Sequence, residues 1–327
     1  MTDDMDGLMR RYEGTVPGAS LLVIRDGVPV VRRSWGLSNV EDRVDATPAT
    51  NYRLASVTKQ FTAAAILLLI QDGRLTLDDS IGKWMPSLPA TIRSLKVREL
   101  LTHTSGVIDY EDLIADGTTV QLRDADVLQL LESSDSTYFP SGTAYRYSNS
   151  GYAMLALVVE RASGLSFASF LRDRIFIPLG MTTTVAHEEG VSTVRARAFG
   201  YTMKDGAWNR KDQSTTSAVL GDGGIYSSID DLAKWDAALY DSRLLSDASR
   251  KLAFTPHTVT DDADVKYGFG WRITGETVWH SGETSGFRNV IVRFPARRMT
   301  VVILTNRDDP EPYATALAVA KIINPAH

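Results

Sequence analysis

Ser56-Val57-Thr58-Lys59 sets a hydroxyl and an amine three residues apart. On a helix those two side chains share one face, a turn from each other. A serine hydroxyl attacks a carbonyl only when a neighbouring base removes its proton. A lysine amine does this when neutral, and burial and a helix N-terminus both disfavour the ammonium form. The spacing recurs in Ser80-Ile81-Gly82-Lys83, but that copy follows Asp78-Asp79 in a Gly- and Pro-punctuated loop with no helix to orient it, and reads as surface. Tyr147-Ser148-Asn149 is the only Tyr-x-Asn in the chain. Its phenol can relay a proton and its amide can donate and accept, whereas a purely structural role would be to cap the helix that follows. His280-Ser281-Gly282 is the only His-x-Gly, at a strand end. Gly282 permits close backbone approach, and the Glu283 amide beyond it can donate to an oxyanion. Lys204-Asp205-Gly206 has a similar pattern but reads as a hairpin turn in a polar excursion.

The elements that must carry these residues are legible in outline. Asp26-Gly27 between the apolar runs 19–24 and 29–33 signals a hairpin. The segment 58–72 is rich in helix formers, apolar nearly all round, and stops at Gly73, so it predicts a buried central helix led by Ser56 and Lys59. Helices are expected over 97–101, 125–132, 152–161, 167–175 and 229–239, the last behind Ser227-Ser228 as caps. Strands are expected over 267–274, 277–280, 289–294 and 300–305, then a closing helix over 312–323. Strands at both ends around a helical middle predict one mixed sheet from about 17–35 and 267–306, with a helical lobe inserted between, in a single domain spanning 1–327.

Composition excludes several classes. The 327 residues are 43% hydrophobic and 23% charged, which is globular, and the formal net charge of -5 with no basic block argues against nucleic-acid binding. There is no cysteine, and the five histidines show no pair at ligand spacing, so thiol chemistry and a metal centre are not expected. Gly-x-Ser-x-Gly, Walker-type and Gly-x-Gly-x-x-Gly signatures are missing. The longest apolar run, 61–70, falls short of the roughly 20 residues that span a bilayer, so no transmembrane segment is expected. The acidic start Met-Thr-Asp-Asp-Met-Asp is not a signal peptide; the chain reads as cytoplasmic as it stands, and as periplasmic or secreted if a signal was removed.

In combination, and with the flanking segments 54–62, 71–79, Leu100-Leu101-Thr102-His103-Thr104-Ser105-Gly106, Pro140-Ser141-Gly142 and 145–152, the chain resembles the serine hydrolases related to penicillin-binding proteins and class C β-lactamases, including DD-peptidases, D-aminopeptidases and carboxylesterases. The likeness runs over nearly the whole chain. It implies an α/β (α+β) sandwich: an antiparallel sheet flanked by helices plus an all-helical lobe, with the site at their junction. It implies Ser56 as acylated nucleophile, Lys59 and Tyr147 sharing proton transfer, and Asn149 holding the acyl chain and Lys59. The amides of Ser56 and Glu283 would form the oxyanion hole, with His280 and Ser281 facing the leaving side and His103 structural. No cofactor or metal is implied, and the partner is a small-molecule or peptide substrate; oligomeric state is left open. His280 stands where the β-lactamases of the family usually carry lysine, which argues against efficient β-lactam turnover, because a histidine is mostly uncharged at pH 7. The expected activity is an acyl-enzyme hydrolysis of amides flanking D-residues. A short-chain esterase or acyltransferase and a slowly deacylating penicillin-binding receptor are the alternatives.

Overall fold

The computed structural model describes residues 2–324; Met1 and the last three residues, His327 among them, lie outside the described residues. Eight strands form the main sheet: β1 (Ala19–Arg25), β2 (Val28–Trp35), β3 (Thr258–Val259), β4 (Lys266–Tyr267), β5 (Arg272–Thr274), β6 (Thr277–Thr284), β7 (Phe287–Phe294) and β8 (Met299–Thr305). Their spatial order is β3-β4-β5-β6-β7-β8-β1-β2, so the chain's two ends meet where β8 pairs with β1. Every pairing is antiparallel, which corrects the expectation of a mixed sheet. The reason is connectivity: β4 to β8 are joined by short turns, and short turns permit only antiparallel neighbours.

The β1–β2 turn is Asp26-Gly27, both residues at positive φ (51° and 79°), the conformation a two-residue hairpin demands. The strand predicted over 267–274 is broken by Gly268–Trp271, where Gly270 turns through φ 77°. The strand predicted to stop at His280 runs on to Thr284, so His280 is a mid-strand residue.

Alternate side chains of the central strands feed two cores. Leu21, Val23, Val290, Val292, Val301 and Ile303 pack against α1 (Thr2–Met9) and the C-terminal helix (Tyr313–Ile323) on one face. Leu22, Ile24, Ile291, Val302 and Leu304 face the helical middle of the chain. That middle is organised on α2 (Lys59–Gln71) and α3 (Asn149–Ser163), which pack against each other. Of the 13 residues of α2, every one from Lys59 to Leu69 is buried, as expected of a helix apolar nearly all round.

The helix α4 (Ile229–Ala238) is fastened to the sheet by a buried ion pair. Arg293 Nε donates to Asp236 Oδ1 at 2.7 Å, and Thr300 Oγ1 donates to the same oxygen at 2.8 Å; the two charged side chains are 1% and 2% exposed. Removing one partner of such a pair strands the other charge in the core. Asp236→Ala is expected to lower unfolding stability by about 3–5 kcal/mol, read from urea denaturation.

Candidate active site

Ser56 lies in a 3₁₀ turn (Ala55–Thr58) that runs directly into α2. Ala55 before it is held at φ 50°, a left-handed conformation that is strained for a residue with a Cβ. Lys59 opens the helix, and its Nζ lies 3.1 Å from Ser56 Oγ, so the expected hydroxyl–amine pair forms. The same Nζ donates to Asn149 Oδ1 and to the peptide carbonyl of Asp222, each at 2.9 Å. Lys59 is completely buried, so these acceptors replace its hydration.

Asn149 is the first residue of α3, behind Ser148, whose side chain caps the helix by accepting from Gly151 N at 3.1 Å. Capping and chemistry are thus divided between neighbours. Asn149 Nδ2 donates to Glu111 Oε1 at 3.0 Å and its backbone N–H to Asp109 Oδ2 at 3.0 Å. The Tyr147 ring lies 4.8 Å from Lys59 Nζ, and its Oη is buried without a hydrogen-bond partner among the described residues.

Gly282 brings the third segment in. A Cβ there would fall 2.1 Å from the Leu54 carbonyl oxygen, so only glycine lets β6 lie against the turn that carries Ser56. Ser56, Asn149 and Glu283 line one small cleft of about 50 Å³ with Arg53, Tyr110, Glu111, Thr216 and Asp222. Hollows of about 450 and 600 Å³ elsewhere contain none of Ser56, Lys59, Tyr147 or Asn149.

His280 and Ser281 are not among the residues that line this small cleft, and neither are Lys59 and Tyr147. His280 is buried, with Nδ1 donating to the Ser281 carbonyl at 2.6 Å. Its Nε2 therefore accepts from Tyr267 Oη, 2.9 Å away. Burial and the nearby Arg272 charge hold its pKa well below the usual imidazole value, so it stays neutral. The other discounted patterns also resolve: Ser80 caps a 3₁₀ turn while Lys83 pairs with Asp79 at 3.0 Å, and Asp205-Gly206 is the turn of the hairpin Tyr201–Lys204/Ala207–Arg210.

Asp222, Tyr110 and Glu111 were not identified from sequence. Asp222 is buried in Gly221-Asp222-Gly223, and its Oδ2 accepts from Tyr110 Oη at 2.9 Å. Desolvation pushes this carboxyl up to about 7, against the pull of Lys59 and the Tyr110 hydrogen bond. Burial and neighbouring Asp109 likewise raise Glu111. The one available signal was a carboxylate between glycines; nothing in it points to a lysine 163 positions earlier.

With the geometry in view, comparison with known proteins is decisive. The family described as Beta-lactamase matches residues 2–323. The chain belongs to the beta-lactamase family. It is 30% identical over 333 residues to penicillin-binding protein 4* of Bacillus subtilis, covering 96% of this chain and 72% of that one. It is 28% identical to a D-aminopeptidase of Gluconobacter oxydans, covering 97% of this chain and 60% of the relative. The octameric penicillin-binding protein homologue from Pyrococcus abyssi superposes with a TM-score of 0.88 at 27% identity, covering 98% of this chain and 76% of that one. As a beta-lactamase family member the protein is a serine hydrolase working through an acyl-enzyme, with a β-lactamase/transpeptidase-like fold. No single helix among the described residues is long and apolar enough to cross a membrane.

The buried Asp222 gives stability a pH dependence of fixed sign. Its folded pKa, about 7, exceeds the ordinary 3.8, so the folded state keeps a proton that the unfolded state releases. Stability is greatest below the lower value and falls as pH rises towards the upper one, by up to about 1.4 kcal/mol per pH unit for one carboxyl. Asp124, also raised to about 7 by burial, adds to the trend. The urea midpoint is expected to drop between pH 5 and pH 8, and Asp222→Asn, which keeps an acceptor for Tyr110, to make that drop smaller.

Proposed function

We propose that residues 1–327 act as one catalytic domain that hydrolyses amides of D-residues bearing a free α-amino group. Ser56 is the nucleophile. Its Oγ attacks the scissile carbonyl carbon while its proton passes to Lys59 Nζ, 3.1 Å away. The oxyanion that forms is held by the backbone amides of Ser56 and Glu283, which lie on the two walls that Gly282 allows to meet. Collapse of the intermediate breaks the carbon–nitrogen bond. The leaving amine takes a proton relayed from Lys59 through Tyr147, leaving a Ser56 ester. Water, giving up its proton to the same pair, then hydrolyses that ester and restores Ser56.

The observation that carries the substrate reading is the charge of the cleft. Glu111 and Glu283 line it beside Ser56, and its lining cation, Arg53, is buried and committed to the Ser217 carbonyl and the Tyr226 ring. His280 is neutral and outside the lining, so among the described residues Arg53 is the one basic side chain that lines the cleft. An ammonium group can bind where Glu111, already fixed by Asn149 Nδ2, presents its carboxylate. The D-aminopeptidase of Gluconobacter oxydans supports the same choice by its name.

The test compares D-alanine p-nitroanilide with its L-isomer, its N-acetylated form, p-nitrophenyl acetate and benzylpenicillin. Cleavage of the free D-amide is expected to exceed the others and to vanish in Ser56→Ala. N-acetylation should reduce kcat/KM by about tenfold or more, the worth of one charged hydrogen bond. Equal turnover of the blocked amide would overturn the amine reading, and turnover of the ester alone would replace it with an esterase. A persistent Ser56-linked penicillin adduct would point instead to a slowly deacylating receptor. Glu111→Gln is expected to raise KM for the free amide by about tenfold and to leave KM for the ester nearly unchanged.

A further inference from the structure

We propose that His103 is the positioning residue for Tyr147: it clamps the backbone on both sides of that tyrosine and fixes where its phenol stands. The inference rests on the reading that Tyr147 moves protons for Ser56. His103 follows the helix Val97–Leu101 and Thr102, and takes φ 58°, so the chain reverses at this residue. Its carbonyl oxygen then accepts from Arg146 N at 3.0 Å, while its own Nδ1 accepts from Ser148 N at 3.1 Å. One residue thus grips the chain immediately before and immediately after Tyr147. Its ring lies against the Tyr147 ring, centroids 4.3 Å apart.

These contacts matter because Tyr147 has little else to hold it. With no hydrogen bond at Oη among the described residues, the phenol is placed by its backbone and by what its ring touches. Besides His103 those neighbours are Lys59 Nζ at 4.8 Å, the Arg272 guanidinium at 5.6 Å, the His280 ring at 6.1 Å and the Tyr267 ring at 6.4 Å.

The clamp requires an unprotonated Nδ1, because an imidazolium could not accept from Ser148. His103 is fully buried, with the Lys59, His280 and Arg272 groups nearby, and its ring is surrounded by Tyr145, Tyr147, Tyr152 and Tyr267. Burial above all, with the Arg272 charge nearby, holds the imidazole neutral. Asparagine can supply an amide oxygen near the place of Nδ1 and tolerates positive φ, whereas phenylalanine keeps a ring but offers no acceptor.

The experiment measures kcat and KM for D-alanine p-nitroanilide, whose leaving amine needs the relayed proton, with p-nitrophenyl acetate as the ester control, the rate of Ser56 acylation by intact mass, and the urea midpoint, for His103→Phe, His103→Asn, Tyr147→Phe and the double variant His103→Phe/Tyr147→Phe. His103→Phe is expected to lower kcat and the acylation rate by about 10–100-fold with KM nearly unchanged, the effect of a displaced catalytic group. His103→Asn should recover most of that loss. The double variant should be no slower than Tyr147→Phe alone, because a clamp has no effect once its phenol is gone. Multiplicative losses in the double variant, or a well-folded His103→Asn as slow as His103→Phe, would overturn the clamp. If His103→Phe does not fold, His103→Asn decides: a loss above about tenfold at the wild-type urea midpoint overturns the proposal. Slow Tyr147→Phe beside unimpaired His103→Phe removes the clamp alone; unimpaired Tyr147→Phe removes the proton-relay reading and the clamp with it.

Discussion

A lysine nitrogen inside the protein core is the constraint around which this molecule is arranged. Lys59 Nζ has no access to solvent, so every polar partner must come from the chain itself. Those partners are a hydroxyl three residues away, a side-chain amide 90 residues away and a peptide carbonyl 163 residues away. Satisfying one amine therefore requires the 3₁₀ turn at Ser56, the start of α3 and the Leu220–Gly223 turn to converge. Asp124 fixes that last turn by accepting from Leu220 N and Gly221 N at 2.9 and 3.0 Å. The site is a place where the core is polar, and the surrounding fold is what makes that tolerable.

How much of this the sequence disclosed follows from the range of each interaction. Ser56 and Lys59 lie within one helical turn, so spacing alone predicted their meeting, and the Asp26-Gly27 hairpin is equally local. Tyr147-Ser148-Asn149 was found as a pattern, but the division of labour inside it was not, because Ser148 and Asn149 are both competent caps. Asp222, Tyr110 and Glu111 enter through tertiary contacts between segments distant in the chain, and no local periodicity records them. His280 was identified by type and spacing, yet its burial depends on the neighbouring strands and on Tyr267, which a strand read as ending at that residue does not anticipate. The mixed sheet was the same kind of error: pairing direction is set by how strands connect in space, not by their composition.

The charge distribution separates two tasks within the same cavity. Below the cleft, His103 and His280 are held neutral by burial, keeping the surroundings of Tyr147 free of titrating imidazolium. At the lining, Glu111 is only partly withdrawn from solvent and keeps its carboxylate turned towards Asn149. The proposed proton-transfer groups are thus screened from bulk water while the proposed recognition surface stays in touch with it.

The burial of α2 on all sides has a consequence for how the protein can fail. A helix packed into the centre on every face has no direction in which to swing out, and its first residue is Lys59. Local opening of the site without dissolution of the core is therefore disfavoured, and the backbone amides of this helix belong to the slowest-exchanging set in the molecule. Loss of the catalytic arrangement and loss of the tertiary fold become one cooperative event. In such a protein the lifetime of the active state is the lifetime of the folded state itself.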